Sequence, residues 1–441
     1  MNNQKPYTSS FILLTTLFFL WGFITVLVDS LIPRLRELFT LSYFQAGMVQ
    51  FAFFGAYFLL SIPASYILSK IGYKKGILLG LTIMGVGCLL FYPAAAYRTF
   101  PIFLLGYFVL AGGMTVLQVA ANPYVAVLGS EETASSRLNL SQAFNSLGTA
   151  IAPAIGAMFL LSDSIKSSDA INSLESAEKE AYYLNEASAV QSPFIFLAAS
   201  LLLLAFIVSF IKLPNILEKK EGEGLGYGEA LKHKILKMGA VGIFLYVGAE
   251  VAIGSYLVNY FLSMGMPELI RNSEWMSAIS EMVVQQDLAN VDNKAIVGAF
   301  VLFYWTGAMV GRFIGAYLTR IVAPAKVLAI FATMAISLLA ISMLTSGFVA
   351  MWSILLVGLF NSIMFPTIFS LSLTGLGERK PQASGILCTA IVGGAIIPPL
   401  YGLLTDQFDF KPALFLMILC YFYIFYFARK SSGFIASFSE K

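Results

Sequence analysis

Charged residues are scarce in this 441-residue chain: Asp, Glu, Lys and Arg make up only 12% of it, against about 25% in an ordinary soluble domain. Hydrophobic residues reach 58%, which excludes ordinary packing as a water-soluble globule. Because one bilayer crossing takes about 20 apolar residues, this proportion supplies about twelve crossings. The composition therefore predicts an all-α membrane protein that crosses the bilayer many times.

Histidine and cysteine are also scarce, with one and three copies. The single histidine, His233, lies in a lysine-rich segment, which argues against a histidine triad or a zinc centre. The cysteines lie inside apolar runs without the spacing of a metal or disulfide framework, at Cys88, Cys388 and Cys420. A net charge of +3 without a basic stripe argues against a nucleic-acid partner. We therefore expect neither an enzyme nor a resident cofactor.

Twelve apolar runs are long enough to cross a membrane, and we number them spans 1 to 12. The first run lacks a signal-peptide cleavage site and is interpreted as a permanent span. The runs cover residues 11–32, 45–67, 76–97, 101–128, 138–161, 193–212, 238–263, 295–318, 326–345, 349–374, 383–405 and 413–428.

The orientation follows from the basic residues of the connecting segments. Leaving out Arg312, the side that holds the N-terminus carries 18 Lys and Arg and the other side carries 8. Because basic residues are retained in the cytoplasm, both termini are expected there.

Two halves of six spans are expected, residues 1–214 and 238–441, joined by a basic cytoplasmic linker at 215–237. Internal sequence similarity supports duplication of one six-span half. Asn122-Pro123 in span 4 resembles Phe365-Pro366 in span 10, and Pro153 in span 5 resembles the prolines of span 11. Proline-interrupted helices at corresponding positions of two halves are typical of transporters whose site lies near the midplane. The alternative is that Gly and Pro are simply common in membrane helices.

Two acids lie inside apolar runs, Asp29 in span 1 and Glu250 in span 7. Each costs about 2.5–3.5 kcal/mol at membrane depth, so each suggests a function. For Asp29 the alternative is an interfacial carboxylate paired with Arg34 or Arg36. For Glu250 the alternative is a structural hydrogen bond between helices.

Amide side chains cluster in spans 4 and 5, three or four residues apart, so that each set lies along one helical face. Such amides can hold helices together, but their number favours the wall of a polar cavity. The second half adds scattered polar groups, and Trp305 could stack on a ligand. The candidate substrate-binding residues are Gln118, Asn122, Gln142, Asn145, Glu250, Asn259, Asn361 and Trp305.

No Lys or Arg is expected at the centre of a span, because Arg312 comes late in span 8 and is placed near the cytoplasmic mouth. A carrier of organic anions would need a central cation to balance its ligand. We therefore expect a neutral ligand rich in hydroxyl groups, namely a monosaccharide, since amides both donate and accept hydrogen bonds.

The segment between spans 2 and 3 resembles the signature G-x-x-x-D-[RK]-x-G-[RK]-[RK] of the major facilitator superfamily. Lys70, Gly72 and Lys74 fit the pattern, whereas Ser65 replaces its first Gly and Ser69 replaces its Asp. The matching residues, together with Arg312, are the candidate gating residues. The alternative is an ordinary basic cytoplasmic loop.

More specific runs resemble the fucose/glucose-galactose permease branch of that superfamily, and the resemblance covers essentially the whole chain. It rests on the segments at 18–23, 44–47, 120–123, 137–148, 246–250 and 366–370, with Asp29 and Pro33. The resemblance implies a hexose symporter of a bacterial inner membrane, with Asp29 as the essential carboxylate of span 1. It also implies sugar contacts from Gln142 and Asn145. Fucose permease has a second acid in span 4, where this sequence has Gln118.

We expect a monomer in the lipid bilayer that couples hexose uptake to a cation by alternating access. Asp29 would take the cation, either a proton or sodium; sodium would also need oxygen ligands, which Thr25 and Gln118 could supply. The main alternative is an exporter of drugs or metabolites by cation antiport, with a pocket lined by Phe and Met.

Overall fold

The structure is a computed structural model that describes residues 8–39, 43–160, 175–211, 213–214 and 226–439. Within these ranges the side chains of 28–44, 46–47, 154–160, 176, 179–180, 183–190, 290 and 434–439 lie outside the description, and Asp29 is among them. The described residues form helices joined by short turns and contain no strand. Eleven of the helices they form are long and apolar enough to cross a membrane, and span 5 is a further helix of 27 residues.

The helices of the first six spans cover the apolar runs almost completely, although the helix of span 6 begins at Ser176, 17 residues before its run. Their bounds are Thr8–Phe39, Tyr43–Ile71, Tyr73–Ala96, Phe100–Val127, Ala134–Leu160 and Ser176–Phe210. Spans 4 and 5 continue as single helices past Pro123 and Pro153, so these prolines do not interrupt them.

The second half differs because two of its spans are interrupted. Spans 7, 8, 9 and 12 are the helices Lys234–Ser263, Asn293–Ile321, Pro324–Leu344 and Phe410–Ser439. Span 10 divides into Gly347–Asn361 and Met364–Leu373, and span 11 into Lys380–Thr389 and Gly393–Phe408. The outer segment between spans 7 and 8 forms two short helices, Met266–Arg271 and Glu274–Val284.

The chain forms two compact units that do not coincide with the two sequence halves. Unit 1 contains residues 1–129, 144–232 and 376–389, and unit 2 contains 130–143, 233–375 and 390–441. The first turns of span 5 therefore belong to unit 2, and the first half of span 11 belongs to unit 1. The boundary at 232/233 falls within the segment 215–237 that we interpret as a linker.

Small residues bring the helices of unit 1 close together. A Cβ atom at Gly113 in span 4 would lie 2.5 Å from the backbone nitrogen of Met84 in span 3, and one at Gly87 would lie 2.5 Å from that of Leu110. Membrane helices pack in this way because lipid gives no hydrophobic drive for association, so stability comes from close backbone contact.

A short linker helix, Tyr227–Lys232, packs on span 2 within unit 1. The Tyr227 hydroxyl lies 2.7 Å from Ser65 Oγ and donates to the Ile62 carbonyl at 3.1 Å, and burial raises the pKa of Tyr227. Gly385 of span 11 leaves room for this contact, since a Cβ there would lie 2.6 Å from Ser65 Cβ. Ser65, which stands where the signature has Gly, therefore anchors the linker.

In unit 2 the first turns of span 5 are bound by hydroxyl and amide hydrogen bonds. Ser135 Oγ lies 2.5 Å from Ser370 Oγ, and Asn139 Nδ2 donates to Thr367 Oγ1 at 3.1 Å. Ser136 Oγ donates to the Ala316 carbonyl at 2.6 Å. These bonds join the start of span 5 to spans 8 and 10, which explains why residues 130–143 belong to this unit.

Candidate functional site

Gln118 presents an unsatisfied oxygen in unit 1. Its Nε2 donates to the Tyr57 hydroxyl of span 2 at 3.0 Å, which fixes the side chain across the two helices. Its Oε1 is buried and accepts no hydrogen bond from the part of the chain that the structure describes. A buried acceptor without a partner is costly, which makes this oxygen a candidate ligand for a hydroxyl group or a cation.

Thr25 of span 1 and Asn145 of span 5 both have protein partners. Thr25 Oγ1 donates to the Trp21 carbonyl at 2.8 Å and lies 3.3 Å from Met114 Sδ of span 4. Asn145 Nδ2 donates to the Phe18 carbonyl at 2.8 Å. The Asn145 contact is of the kind that holds helices together, which is the alternative role considered above.

Asn122 and Gln142 are buried, at 0% and 7% exposure. Asn122 lies in unit 1, and Gln142 lies in the part of span 5 that belongs to unit 2. Their assignment to substrate binding stays a prediction, as does the coupling role of Asp29, which lies outside the described side chains.

Unit 2 contains a charge pair at membrane depth. Glu250 lies about halfway along the 30-residue helix of span 7, and Arg312 Nη2 of span 8 lies 4.0 Å from Glu250 Oε1. Both side chains are nearly buried, with exposures of 15% and 16%. Arg312 lies nine residues before the end of its helix at Ile321, and its long side chain brings the guanidinium to Glu250. Its gating role stays a prediction.

Buried tyrosines lie near this pair. The sequence places Tyr246 on the same helical face as Glu250, whereas Tyr304 and Tyr421 were missed by the sequence reasoning. Asn361 Nδ2 donates to the Tyr304 hydroxyl at 2.6 Å, and both side chains are 0% exposed. Tyr246, Tyr304 and Tyr421 all lie close enough to Glu250 to interact with it electrostatically. Tyrosine in the middle of a span is the signal that could have found them, because a buried phenol needs a partner for its hydroxyl.

Trp305 lies on the same interface between spans 7 and 8 as the charge pair. A Cβ on Gly254 would lie 2.8 Å from Trp305 Cζ2, so the absence of a side chain at Gly254 lets the indole approach span 7. Gly254 follows Glu250 by four residues, which is one helical turn. The indole is 47% exposed, so it presents free surface one turn from the charge pair.

Asn259 is not brought to this cluster. It follows Glu250 by nine residues, which at 3.6 residues per turn is about two and a half turns and places it on the opposite face of span 7. Its side chain is exposed, near the end of the helix at Ser263.

The candidate gating residues between spans 2 and 3 form a tight connection within unit 1. Gly72 has φ +82°, which favours glycine, and it ends span 2 and begins span 3. Lys74 Nζ donates to the Ser209 carbonyl at the end of span 6 at 2.7 Å. Lys70 Nζ lies 4.1 Å from the centre of the Tyr66 ring. These contacts make the segment an anchor of unit 1, and the gating role stays a prediction.

Metal-ligating side chains do not cluster in the described part of the chain, where no group of three His, Cys, Asp or Glu residues lies together. The Gln118 Oε1 atom in unit 1 is a neutral oxygen of the kind that cations bind.

Comparison with known proteins places the chain in a family. Residues 9–399 match the family model described as Major Facilitator Superfamily. The chain is 46% identical to the glucose/galactose transporter of Brucella abortus over 430 residues, covering 96% of this chain and 94% of that protein. It is 35% identical to the L-fucose-proton symporter of Escherichia coli, covering 97% of this chain and 94% of the other.

A solved structure supports the same assignment. The chain resembles the crystal structure of the transporter FucP in the outward conformation with a TM-score of 0.87 and 33% identity, covering 97% of this chain and 99% of that one. The predicted fold of twelve membrane-spanning helices in two halves is confirmed by this likeness, and the prediction that the protein is no enzyme is confirmed by its transporter relatives. The chain is a multi-pass membrane protein that belongs to the major facilitator superfamily, in the branch of the fucose and glucose/galactose permeases.

Proposed function

We propose that this protein is a cation-coupled symporter that carries a neutral hexose, such as glucose or galactose, into a bacterial cell across the inner membrane. The observation that carries the proposal is the electrical balance of Glu250 and Arg312 in the middle of unit 2. Because these charges offset each other, the site has no excess charge for an ionic ligand to neutralise. The names of the relatives agree, since both glucose/galactose and L-fucose are neutral hexoses.

Each unit on its own contains groups of a kind that can bind a sugar. The Gln118 oxygen can accept a hydroxyl hydrogen bond, because no described residue donates to it. The guanidinium and carboxylate of the charge pair can donate to and accept from vicinal hydroxyls. The free surface of Trp305 can cover the apolar face of a pyranose ring.

Asp29 is the proposed coupling site, and the coupling ion is sodium or a proton. A carboxylate that is costly at membrane depth is neutralised when the cation binds, and this lowers the free energy of the sugar-loaded, occluded state. Thr25 and Gln118 are the proposed neutral oxygen ligands. Both termini are placed in the cytoplasm, and the protein acts as a monomer without a resident cofactor.

Uptake into proteoliposomes tests the proposal. We expect labelled glucose or galactose to accumulate when an inward gradient of one cation is imposed, and unlabelled sugar to accelerate its counterflow. Separate sodium and proton gradients, each at the same membrane potential, identify the ion. Equal and non-saturable entry with and without either gradient would contradict coupled transport, and efflux of dyes without sugar uptake would favour the exporter.

Gly254→Ala is expected to weaken sugar binding about tenfold at most, because a methyl group 2.8 Å from the indole displaces Trp305 by a fraction of an ångström. The KM for sugar should rise while the maximal rate changes little. Gly298→Ala is the matched control, since a Cβ at Gly298 in span 8 meets nothing within 4 Å. An unchanged KM in Gly254→Ala would remove Trp305 from the sugar site.

A further inference from the structure

Two prolines, one in span 4 and one in span 10, each free a backbone carbonyl within a membrane-spanning segment. Proline has no N–H, so the carbonyl four residues earlier in the helix loses its usual hydrogen bond. Pro123 of span 4 frees the carbonyl of Val119, and Pro366 of span 10 frees that of Ser362. In a membrane such a carbonyl needs another donor, because no water reaches it from lipid.

Arg312 supplies the donor in span 10. Its Nε donates to the Ser362 carbonyl at 3.2 Å, and Ser362 lies at the interruption between the two helices of the span. Gly311 lets span 8 approach this point, since a Cβ there would lie 2.5 Å from Ser362 Oγ. The same guanidinium lies 4.0 Å from Glu250, so one side chain contacts both the carboxylate of span 7 and the interruption of span 10.

Ser384 supplies the donor in span 4. Its Oγ donates to the Val119 carbonyl at 2.8 Å, and the side chain is 0% exposed. Ser384 comes from the first half of span 11, which belongs to unit 1. Both freed carbonyls are thus bound by a side chain from a different helix of their own unit.

We propose that Arg312 and Ser384 are positioning residues that hold the helical turns before Pro366 of span 10 and Pro123 of span 4 in the geometry that sugar transport requires. Each proline lies close in sequence to a candidate sugar-binding amide. Asn122 directly precedes Pro123, and Asn361 directly precedes Ser362, whose carbonyl Pro366 frees. A loose carbonyl at either point lets the helix bend, and the neighbouring amide then moves with it.

A double-mutant comparison in purified full-length protein tests the two contacts. Arg312→Lys keeps a positive charge toward Glu250, but a single ammonium group cannot also reproduce the planar donor array of the guanidinium. Amide hydrogen exchange across 359–370 should therefore rise about tenfold, which corresponds to the loss of one hydrogen bond from a charged donor. Pro366→Ala restores an N–H to the Ser362 carbonyl, so Arg312→Lys should have little effect in that background.

The second contact provides an independent pair. Ser384→Ala should raise exchange across 117–127, and Pro123→Ala should remove that effect. The crossed pairs, Arg312→Lys with Pro123→Ala and Ser384→Ala with Pro366→Ala, should be additive, because the two hydrogen bonds share no residue. The proposal is overturned if the matched pairs are as additive as the crossed ones. If one proline variant does not fold, the other pair decides.

The transport consequence rests on the proposed hexose symport. Arg312→Lys should raise the KM for sugar several-fold while Arg320→Lys, near the end of the same helix, leaves it unchanged. If the wild type moves no sugar but the matched pairs couple in hydrogen exchange, the proposed function fails and the two contacts stand. If the wild type transports and Arg312→Lys alters neither exchange nor KM, the positioning role fails.

Discussion

Asp29→Asn is expected to abolish accumulation of sugar while leaving sugar exchange at equal concentrations on both sides. The asparagine carries no charge for a cation to neutralise, so the cation gradient no longer drives the sugar-loaded state. One positive charge moving through 100 mV supplies about 2.3 kcal/mol, which is roughly a fifty-fold sugar gradient at one-to-one coupling. The variant should therefore build up no sugar gradient, where the wild type builds up a steep one.

Proteoliposomes measure both activities with the same protein, first with an imposed gradient and then in counterflow. Asp406→Asn is a suitable control, because Asp406 is an exposed acid in span 11, near the end of its helix at Phe408. Normal accumulation by Asp29→Asn would assign Asp29 to an interfacial pair with Arg34 or Arg36. Loss of counterflow as well would mean that the carboxylate is needed for sugar binding itself.

The number and order of the spans could be predicted because apolar length is set by bilayer thickness, which every crossing must meet. The helix interruptions could be predicted only in part. Pro366 does accompany a break in span 10, whereas span 4 continues past Pro123. In both spans the donor to the freed carbonyl comes from a helix distant in sequence, which the sequence alone does not reveal.

The candidate site could likewise be predicted from the sequence only in part. Helical periodicity alone places Asn259 opposite Glu250, so its separation from the cluster was available from the spacing. The approach of Arg312 to Glu250 could not be predicted from the spacing, because it depends on the length of the arginine side chain and on the contact between spans 7 and 8. The contact of Trp305 with Gly254 required that same pairing.

The ion pair between Glu250 and Arg312 should stabilise the fold, and a double-mutant cycle on these two residues measures by how much. Arg312→Gln leaves the Glu250 carboxylate nearly buried without its counter-charge, and Glu250→Gln does the same to the guanidinium. Loss of one partner of a buried ion pair costs about 3–5 kcal/mol, and the 15–16% exposure of these side chains places the expected cost near the lower value. Each single variant should therefore unfold at a clearly lower temperature in detergent.

The double variant Glu250→Gln/Arg312→Gln should recover most of this loss, because neither charge remains uncompensated. The exposed pair of Lys232 and Glu229 on the linker helix is the matched control, and its double variant should show no measurable coupling. Sugar affinity separates the two roles of Glu250. If Glu250 contacts the sugar, the double variant regains stability but keeps a raised KM. If stability and KM recover together, Glu250 serves only to bind helices, and the sugar site lies with the amides of the first half.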